Sequence, residues 1–211
     1  MTIEIINVDQ GTPEWFDARR GIPTASEFHS ILSPGKGGKP SKTRMSYMAK
    51  LAAEVLKAKA PESFSNVHTA RGHTMEDEAR NLYALQYDVE PVQVGFIRNG
   101  DKGYSPDSLV GERGLLEIKS KLPALVIDLI LSGEFPLEHE AQCQGGLWVA
   151  DRQWIDIAVY WEGLPLFVKR AHRDELYIAK LSREVAAFNE ELAEMVETIR
   201  QYSAPSLDMA A

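Results

Sequence analysis

The order of strand and helix patterns along this 211-residue chain predicts an α/β fold. Residues 92–98, 104–120 and 154–170 have the character of strands and occupy the middle of the chain. Helical patterns precede these segments, separate them and follow them. An apolar content of 44% and a charged content of 26% are typical of a globular protein with a sizeable core. We expect one domain over residues 1–211.

Short helices separated by breaks are predicted before the first strand. The first covers residues 15–20 and ends at the Gly-Ile-Pro sequence of residues 21–23, because glycine and proline both disfavour helix continuation. Thr24 or Ser26 then caps a second helix. A longer helix is predicted over residues 45–58.

A basic segment over residues 33–44 lies between those helices. It is rich in Gly, Pro and Ser, and it carries four positive charges and no negative one. Such a composition indicates a mobile surface loop, which beside a phosphate-binding site would become a flap that contacts phosphates. Its cationic residues are Lys36, Lys39, Lys42 and Arg44.

A further helix with an acidic residue on its apolar side is predicted after a loop over residues 61–68. Thr74 is its predicted N-cap. Glu76 shares a helix face with Ala79 and Tyr83, because residues three and four positions apart are neighbours on a helix. A glutamate in a first turn is also favoured by the helix dipole, so a solvated Glu76 stays an alternative.

A hairpin over residues 104–120 would bring two carboxylates together. Side chains alternate between the faces of a strand, so Glu117 and Lys119 point to the same side. The Gly-Glu-Arg-Gly sequence at residues 111–114 is typical of a tight turn, which would fold Asp107 back towards Glu117. Two converging carboxylates suit Mg²⁺, which lowers the pKa of a bound water and neutralises charge on a phosphate oxygen.

The same hairpin has an ordinary structural interpretation. Glu-x-Lys pairs occur on solvated hairpins, and Asp after Pro is common in turns. However, Glu117 interrupts the otherwise apolar stretch at residues 115–118, and a buried carboxylate needs a partner or a metal. Lys119 beside a metal would hold the attacking water or stabilise the pentacovalent phosphorus. The pattern therefore favours a magnesium-dependent phosphodiesterase.

Helices and a second hairpin complete the predicted elements. They are helices over 122–132 and 140–150, strands over 154–161 and 164–170, and a helix over 174–202. The last helix repeats an apolar residue every three or four positions, so it covers a core or a subunit contact. Gln142 lies near the start of the helix over 140–150.

Charge is distributed unevenly around a net value of −8. Residues 1–60 hold nine basic and six acidic residues, residues 61–140 hold seven and fourteen, and residues 141–211 hold seven and eleven. The acidic middle contains the carboxylates that a divalent cation requires. An acidic total does not exclude nucleic acid as a ligand, because one groove can be basic while the outer surface is acidic.

The sequence also predicts the cellular compartment in which the protein is found. No apolar run approaches the roughly 20 residues that span a bilayer, and we expect no membrane association. No secretion signal is visible near Met1. The single cysteine, Cys143, excludes an intramolecular disulfide and is interpreted as buried filler. We therefore expect a protein of the reducing cytoplasm of its host cell.

Five blocks in order give the chain a resemblance to the YqaJ-like viral recombinase family, the family of phage lambda exonuclease, from about Trp15 to the final helix. They are WFDARRGIPTAS, RGHTMEDEAR, SPDSLVG, LEIKS and AQCQGGLWV. Each block is weak alone, whereas the ordered set is specific. Ser108 departs from the glycine that the family often has after the aspartate.

The resemblance implies a role for each residue of the hairpin site. Asp107 and Glu117 would bind the metal, with the Ile118 carbonyl as a further ligand. Glu76 would reach the metal directly or through water. Lys119 would orient the attacking water. Gln142 would position the lysine or that water.

A pocket for a 5′-terminal phosphate is also implied by the resemblance. Its residues would be Arg19, Thr24, Ser26 and Ser105. A guanidinium supplies a fixed fork of donors and hydroxyl groups add neutral ones, which agrees with phosphate binding. We expect the basic segment at residues 33–44 to contact further backbone phosphates.

The resemblance also implies a fold, an activity and partners. The fold would be the restriction-endonuclease-like PD-(D/E)xK core, a central mixed sheet flanked by helices. The activity would be digestion of one strand of linear duplex DNA from its 5′ end, with one or two Mg²⁺ ions that Mn²⁺ would replace. A homotrimeric ring and a single-strand annealing protein would be the partners. An endonuclease on the same core and a catalytically silent DNA-end clamp stay alternatives.

Overall fold

Eight strands and seven α-helices occur in the computed structural model, which describes residues 2–37, 39–58 and 67–202, with the backbone alone for 67–74. The strands are β1 (Ile3–Ile6), β2 (Pro91–Val92), β3 (Phe96–Asn99), β4 (Lys102–Tyr104), β5 (Ser108–Val110), β6 (Gly114–Ser120), β7 (Trp154–Tyr160) and β8 (Phe167–His172). The helices are α1 (Pro13–Ala18), α2 (Phe28–Leu32), α3 (Lys42–Val55), α4 (Val67–Tyr87), α5 (Pro123–Ser132), α6 (Glu140–Ala150) and α7 (Glu175–Tyr202). Single 3₁₀ turns at Ala25–Glu27 and Leu137–His139 lead into α2 and α6.

The strands form two sheets, of which the larger is mixed. Its order is β2-β5-β6-β7-β8, and β6 runs parallel to β7 while the other pairs are antiparallel. The smaller sheet has the antiparallel order β1-β3-β4. With helices packed against it, this arrangement confirms the predicted α/β fold.

The two central strands are buried on both faces, which explains their nearly continuous apolar sequences. On one face of β6, Leu115 packs into the larger core together with residues of α3, α6 and α7. On the other face, Leu116 and Ile118 pack into a smaller core beneath α4, with Ala79 and Tyr83. Because its side chains alternate between the two faces of the sheet, β6 contributes residues to both cores.

Most elements of the central and C-terminal chain lie where they were predicted. The helix over 140–150 is confirmed at both ends as α6, and the predicted hairpin of strands in 154–170 is β7 and β8. The predicted helix over 174–202 is α7, which Asp174 caps by accepting hydrogen bonds from the backbone of Leu176 and Tyr177.

The N-terminal half of the chain differs from the prediction in several places. Thr74 is not an N-cap, because α4 begins at Val67, although Gly72 lowers the helix propensity of its first turns. Most of the predicted loop over 61–68 lies outside the described residues, and its last two residues are helical. The strand β1, too short to show a clear alternation, was not predicted; it pairs with β3.

The surface of α5 is unusually apolar for an exposed helix. Val126 is fully buried, whereas Leu122, Leu125 and Leu131 are 60%, 49% and 80% exposed. Across the described part of the chain, no helix combines the length and the apolar character needed to cross a membrane.

Candidate active site

The predicted hairpin forms and places the two carboxylates opposite each other. β5 and β6 pair with Ser108 opposite Leu116 and Val110 opposite Gly114, and the same register continued by one residue sets Asp107 opposite Glu117. The carboxylate of Asp107 accepts a hydrogen bond from the backbone N–H of Ile118. The turn, the strand pairing and the side-chain alternation therefore bring the predicted residues together.

The backbone N–H of Ile118 faces Asp107. In a strand the N–H and C=O of one residue lie on the same edge. Because the N–H of Ile118 turns to Asp107, its carbonyl turns the same way, beyond the last paired residue of β5. Strand geometry therefore directs this carbonyl to the side of β6 on which Asp107 lies. Its role as a metal ligand stays a prediction.

Glu117 is held by three donors in a buried position. Its side chain is 2% exposed. Tyr104 donates its hydroxyl to Oε2 at 2.6 Å, and the amide of Gln142 donates to Oε1. Lys119 lies with Nζ 2.7 Å from Oε1. The carboxylate is consequently fixed in one orientation beside the ammonium group of Lys119.

Lys119 is a cation in this arrangement. Burial lowers its pKa, but the carboxylates of Glu117 and Asp107 raise it more, so that the pKa lies above the ordinary value for lysine. A lysine with a raised pKa is a poor proton acceptor. It can instead donate a hydrogen bond to a water or a phosphate oxygen and stabilise negative charge there.

The carboxylate of Asp107 lies in an environment that favours a cation. Burial, then the charges of Glu117 and Glu76, raise its pKa well above the usual range, while Lys119 acts in the opposite direction. A divalent cation would remove this repulsion, and oxygen donors are what Mg²⁺ prefers. The two carboxylates and the Ile118 carbonyl therefore fit such an ion. Among the described residues no three His, Cys, Asp or Glu side chains are grouped as ligands, so water would complete the coordination.

Glu76 lies beside the site and is fixed by Arg80. The guanidinium of Arg80, whose side chain is 9% exposed, donates to Glu76 and Asp77. Its Nε donates to Ser108 at 3.1 Å. Arg80 therefore connects α4 to the residue that follows Asp107. Ser108, where the family often has glycine, is the residue that receives this contact.

The four predicted phosphate-binding residues are brought together by Trp15. The indole N–H of Trp15 lies 2.9 Å from the hydroxyl of Ser105, and the guanidinium of Arg19 stacks 4.0 Å from the indole ring centre. Arg19 donates to Thr24 at 3.3 Å, and the hydroxyls of Thr24 and Ser26 are 3.3 Å apart.

The Arg19 guanidinium is available for an anion. It lines a cavity of about 490 Å³ that Trp15, Thr24, Ser26 and Tyr47 also line. Burial lowers its pKa, and among the described residues no carboxylate forms an ion pair with it within 4.0 Å, so a phosphate would supply the missing counter-charge.

The basic segment differs from the prediction at its C-terminal end. The loop ends at Ser41, whose hydroxyl caps α3 by accepting from the N–H of Arg44. Arg44 is buried, and its guanidinium forms a two-point ion pair with Glu191. This conformation does not support the prediction that Arg44 contacts DNA phosphates, because its side chain is buried and its charge is paired with Glu191. Lys36, Lys39 and Lys42 are exposed.

Sequence reasoning missed two residues of the site, Tyr104 and Arg80. Arg80 follows Glu76 by four positions on a helix, a spacing that predicts an ion pair. No comparable signal marks Tyr104, because its contact with Glu117 depends on how β4 packs against β6. Trp15 is half-buried against Arg19.

Comparison with known proteins identifies a family and several solved structures that this chain resembles. Residues 14–153 match the model of the YqaJ-like viral recombinase domain. The chain is similar to the alkaline exonuclease LHK-Exo from Laribacter hongkongensis, with 32% identity and a TM-score of 0.81 over 91% of this chain and 98% of that chain. The structure of LHK-Exo in complex with dAMP gives 33% identity and a TM-score of 0.82 with the same coverage.

A third structure shares the fold alone. A phage-related exonuclease from Haemophilus somnus has 16% identity and a TM-score of 0.64 over 84% of this chain and 96% of that chain. No curated protein matches the chain significantly. Together the structural likenesses confirm the predicted restriction-endonuclease-like fold with its central mixed sheet.

Proposed function

Because the chain belongs to the YqaJ-like viral recombinase family and is a nuclease of that family, we propose that it digests one strand of linear double-stranded DNA from the 5′ end. The proposed reaction is hydrolysis of phosphodiester bonds with Mg²⁺, which releases mononucleotides and leaves a 3′ single strand for recombination. One or two Mg²⁺ ions would bind, and Mn²⁺ would replace them.

One observation carries this proposal. Ser105 of the phosphate pocket and Asp107 of the carboxylate site lie two residues apart in the chain, so their backbones are at most about 7 Å apart. A terminal phosphate held by Arg19 would thus lie close to the carboxylates. An endonuclease has no need of a pocket for a terminus beside its reactive centre. The relative LHK-Exo has been crystallised with dAMP, a mononucleotide, which is the class of product proposed.

Each protein group has a defined task in the proposed reaction. Asp107, Glu117 and the Ile118 carbonyl would hold Mg²⁺, which when bound supplies a water of lowered pKa and neutralises charge on phosphorus oxygens. Lys119 orients the attacking water and stabilises the charge that develops on phosphorus. Gln142 and Tyr104 keep the Glu117 carboxylate in place.

End-labelled DNA tests this function directly. The pure protein is incubated with Mg²⁺ and linear duplexes labelled at either end, with and without 5′ phosphates, and with a closed circle in parallel. Loss of label from phosphorylated 5′ ends, release of mononucleotides and an intact circle are expected. Cleavage of the circle would instead establish an endonuclease, and binding without cleavage would establish a silent clamp.

Replacement of Arg19 by alanine is expected to slow attack on 5′-phosphorylated ends by about 10- to 100-fold, because a charge-assisted hydrogen bond contributes about 1.5–3 kcal/mol. Attack on 5′-hydroxyl ends should change little. The measurement is the ratio of kcat/KM for the two kinds of end. Arg20→Ala is the matched control, since Arg20 pairs with Asp17. If Arg19→Ala slows attack on both kinds of end equally, Arg19 does not belong to a pocket for the 5′ phosphate.

Replacement of Lys36, Lys39 and Lys42 by glutamine is expected to weaken binding to all duplex sequences alike. Each lost phosphate contact should lower the slope of log K against log salt concentration by about 0.9. Binding is measured without divalent metal, so that no cleavage occurs. Arg44→Gln is the control, and it should lower the melting temperature through loss of the Glu191 pair without changing the slope. An unchanged slope in the triple variant would place the loop outside the DNA groove.

A ring of three copies and an annealing protein remain proposals from the family. The exposed apolar residues Leu122, Leu125 and Leu131 supply a surface that self-association would cover, which supports an oligomer. The annealing protein stays a prediction. A mass measured by light scattering or sedimentation equilibrium tests the trimer, and a monomeric mass would contradict it.

A further inference from the structure

The hydroxyl of Tyr104 binds the carboxylate on which the proposed metal site depends. Tyr104 ends β4, its side chain is 1% exposed, and its hydroxyl lies 2.6 Å from Oε2 of Glu117. A hydroxyl buried this deeply requires a partner, and Glu117 supplies it. No role in the reaction follows from the sequence motif, since Tyr104 precedes the Ser-Pro-Asp block.

Helix α6 fixes the ring of Tyr104 as well as the other oxygen of Glu117. A Cβ atom added to Gly146 would lie 2.8 Å from the Tyr104 ring, so the glycine leaves room for it. Gly146 follows Gln142 by four residues, which places both on one helix face. The Gln142 amide donates to Oε1. One helix face thus seats the tyrosine and holds the carboxylate from its other side.

The donors around Glu117 leave little room for a metal on this carboxylate. A carboxylate has about four lone-pair positions. Tyr104 uses one on Oε2, and Gln142 and Lys119 use two on Oε1. One position on Oε2 remains. Glu117 can therefore offer an ion one oxygen and not both.

We propose that Tyr104 is a positioning residue that holds Glu117 in the orientation in which Gln142 and Lys119 occupy Oε1 and only Oε2 is open to a divalent cation, and so selects Mg²⁺ over Ca²⁺. The inference rests on the proposed metal-dependent nuclease function. Mg²⁺ is small, strictly octahedral and binds proteins through one or two carboxylates with several waters, whereas Ca²⁺ takes six to eight oxygens and accepts bidentate carboxylates. Without the tyrosine hydroxyl, the Glu117 carboxylate can turn away from Gln142 and Lys119 and offer both oxygens to an ion.

The test is calorimetric titration of the full chain with Mg²⁺ and, separately, with Ca²⁺, without DNA. Tyr104→Phe keeps the ring and removes the hydroxyl. We expect Mg²⁺ binding roughly 10- to 100-fold weaker, the range for residues that orient metal ligands, and Ca²⁺ binding unchanged or tighter. With Mg²⁺ saturating, kcat should recover towards the wild-type value. Gly146→Ala, which pushes the ring but keeps the hydroxyl, should weaken Mg²⁺ binding in the same direction.

Tyr83→Phe is the matched control. Tyr83 is 1% exposed and donates its hydroxyl at 2.7 Å to Asp156, a buried carboxylate of the smaller core, which Arg170 also holds. Both Phe variants lose a buried hydrogen bond from tyrosine to a carboxylate, and both should melt at a similarly lowered temperature. Only Tyr104→Phe should change the ratio of Mg²⁺ to Ca²⁺ affinity.

The outcomes separate the inference from the proposed function. A wild-type protein that binds neither ion would overturn the metal-dependent function and the inference with it. If the wild type binds Mg²⁺ and Tyr104→Phe binds each ion with the same affinity as the wild type does, the positioning role is wrong and the proposed function stands. An equal change of the ion ratio in both Phe variants would also overturn the positioning role.

Discussion

Replacement of Asp107 by asparagine is expected to reduce phosphodiester cleavage by about 10³-fold or more. A metal contributes several kcal/mol to transition-state stabilisation, and each 1.36 kcal/mol corresponds to a tenfold change in rate. Asn keeps an oxygen that can accept from the N–H of Ile118, so the hairpin should still form. The loss should therefore come from the missing charge and not from a missing turn.

The stability of the same variant provides a second measurement. Without metal, Asp107→Asn should melt at the same temperature as the wild type or higher, because a partly buried charge next to Glu117 and Glu76 is removed. Mg²⁺ should raise the melting temperature of the wild type and not that of the variant, since an ion stabilises only the state that binds it.

Asp156→Asn is the control for loss of a buried carboxylate. Asp156 is paired with Arg170 and accepts from Tyr83. It lies opposite Leu116, so its side chain is on the other face of the sheet from Glu117. Its replacement should lower the free energy of unfolding by about 1–3 kcal/mol, and leave the effect of Mg²⁺ intact. If Asp107→Asn still cleaves DNA, the assignment of Asp107 to the active site is wrong.

Replacement of Lys119 by methionine is expected to lower kcat by about 10²- to 10³-fold, the loss found when one preorganised group that stabilises developing charge is removed. Methionine keeps much of the apolar stem of the side chain. Because Lys119 is charged rather than a base, the variant should not regain activity at high pH. Mg²⁺ binding should persist, since the carboxylates stay in place.

Lys102→Met is the matched control for loss of a buried lysine. Lys102 is 5% exposed, donates to the Asn99 carbonyl at 3.0 Å and lies over the Trp148 ring. Its loss should lower the melting temperature and leave kcat nearly unchanged. Single-turnover cleavage and Mg²⁺ titration distinguish the two lysines, and full activity in Lys119→Met would overturn the assignment of the lysine.

The hairpin could be predicted because its causes are local. The glycines at 111 and 114 define the turn, and the alternation of side chains in β6 sets which face Glu117 and Lys119 share. Gly111 has a φ of 55°, a conformation that glycine adopts without strain. The boundaries of α6 followed from a similarly local pattern of apolar and small residues.

The contacts between distant segments could not be predicted in the same way. The Trp15 indole meets Ser105 across 90 residues, and Arg44 meets Glu191 across 147 residues. The sequence presented Arg44 as one more cation of a basic loop. Only the packing of α3 against α7 shows that its charge is already paired.

The sequence by itself determined the fold class and the residue types of the reactive centre, because strand alternation, turns and helix periodicity act over a few residues. The tertiary structure decided which of those residues meet, and what each charge is paired with. Tyr104 illustrates the difference. A tyrosine three residues before Asp107 has no local reason to contact Glu117, and it does so because β4 and α6 bury both side chains in one place.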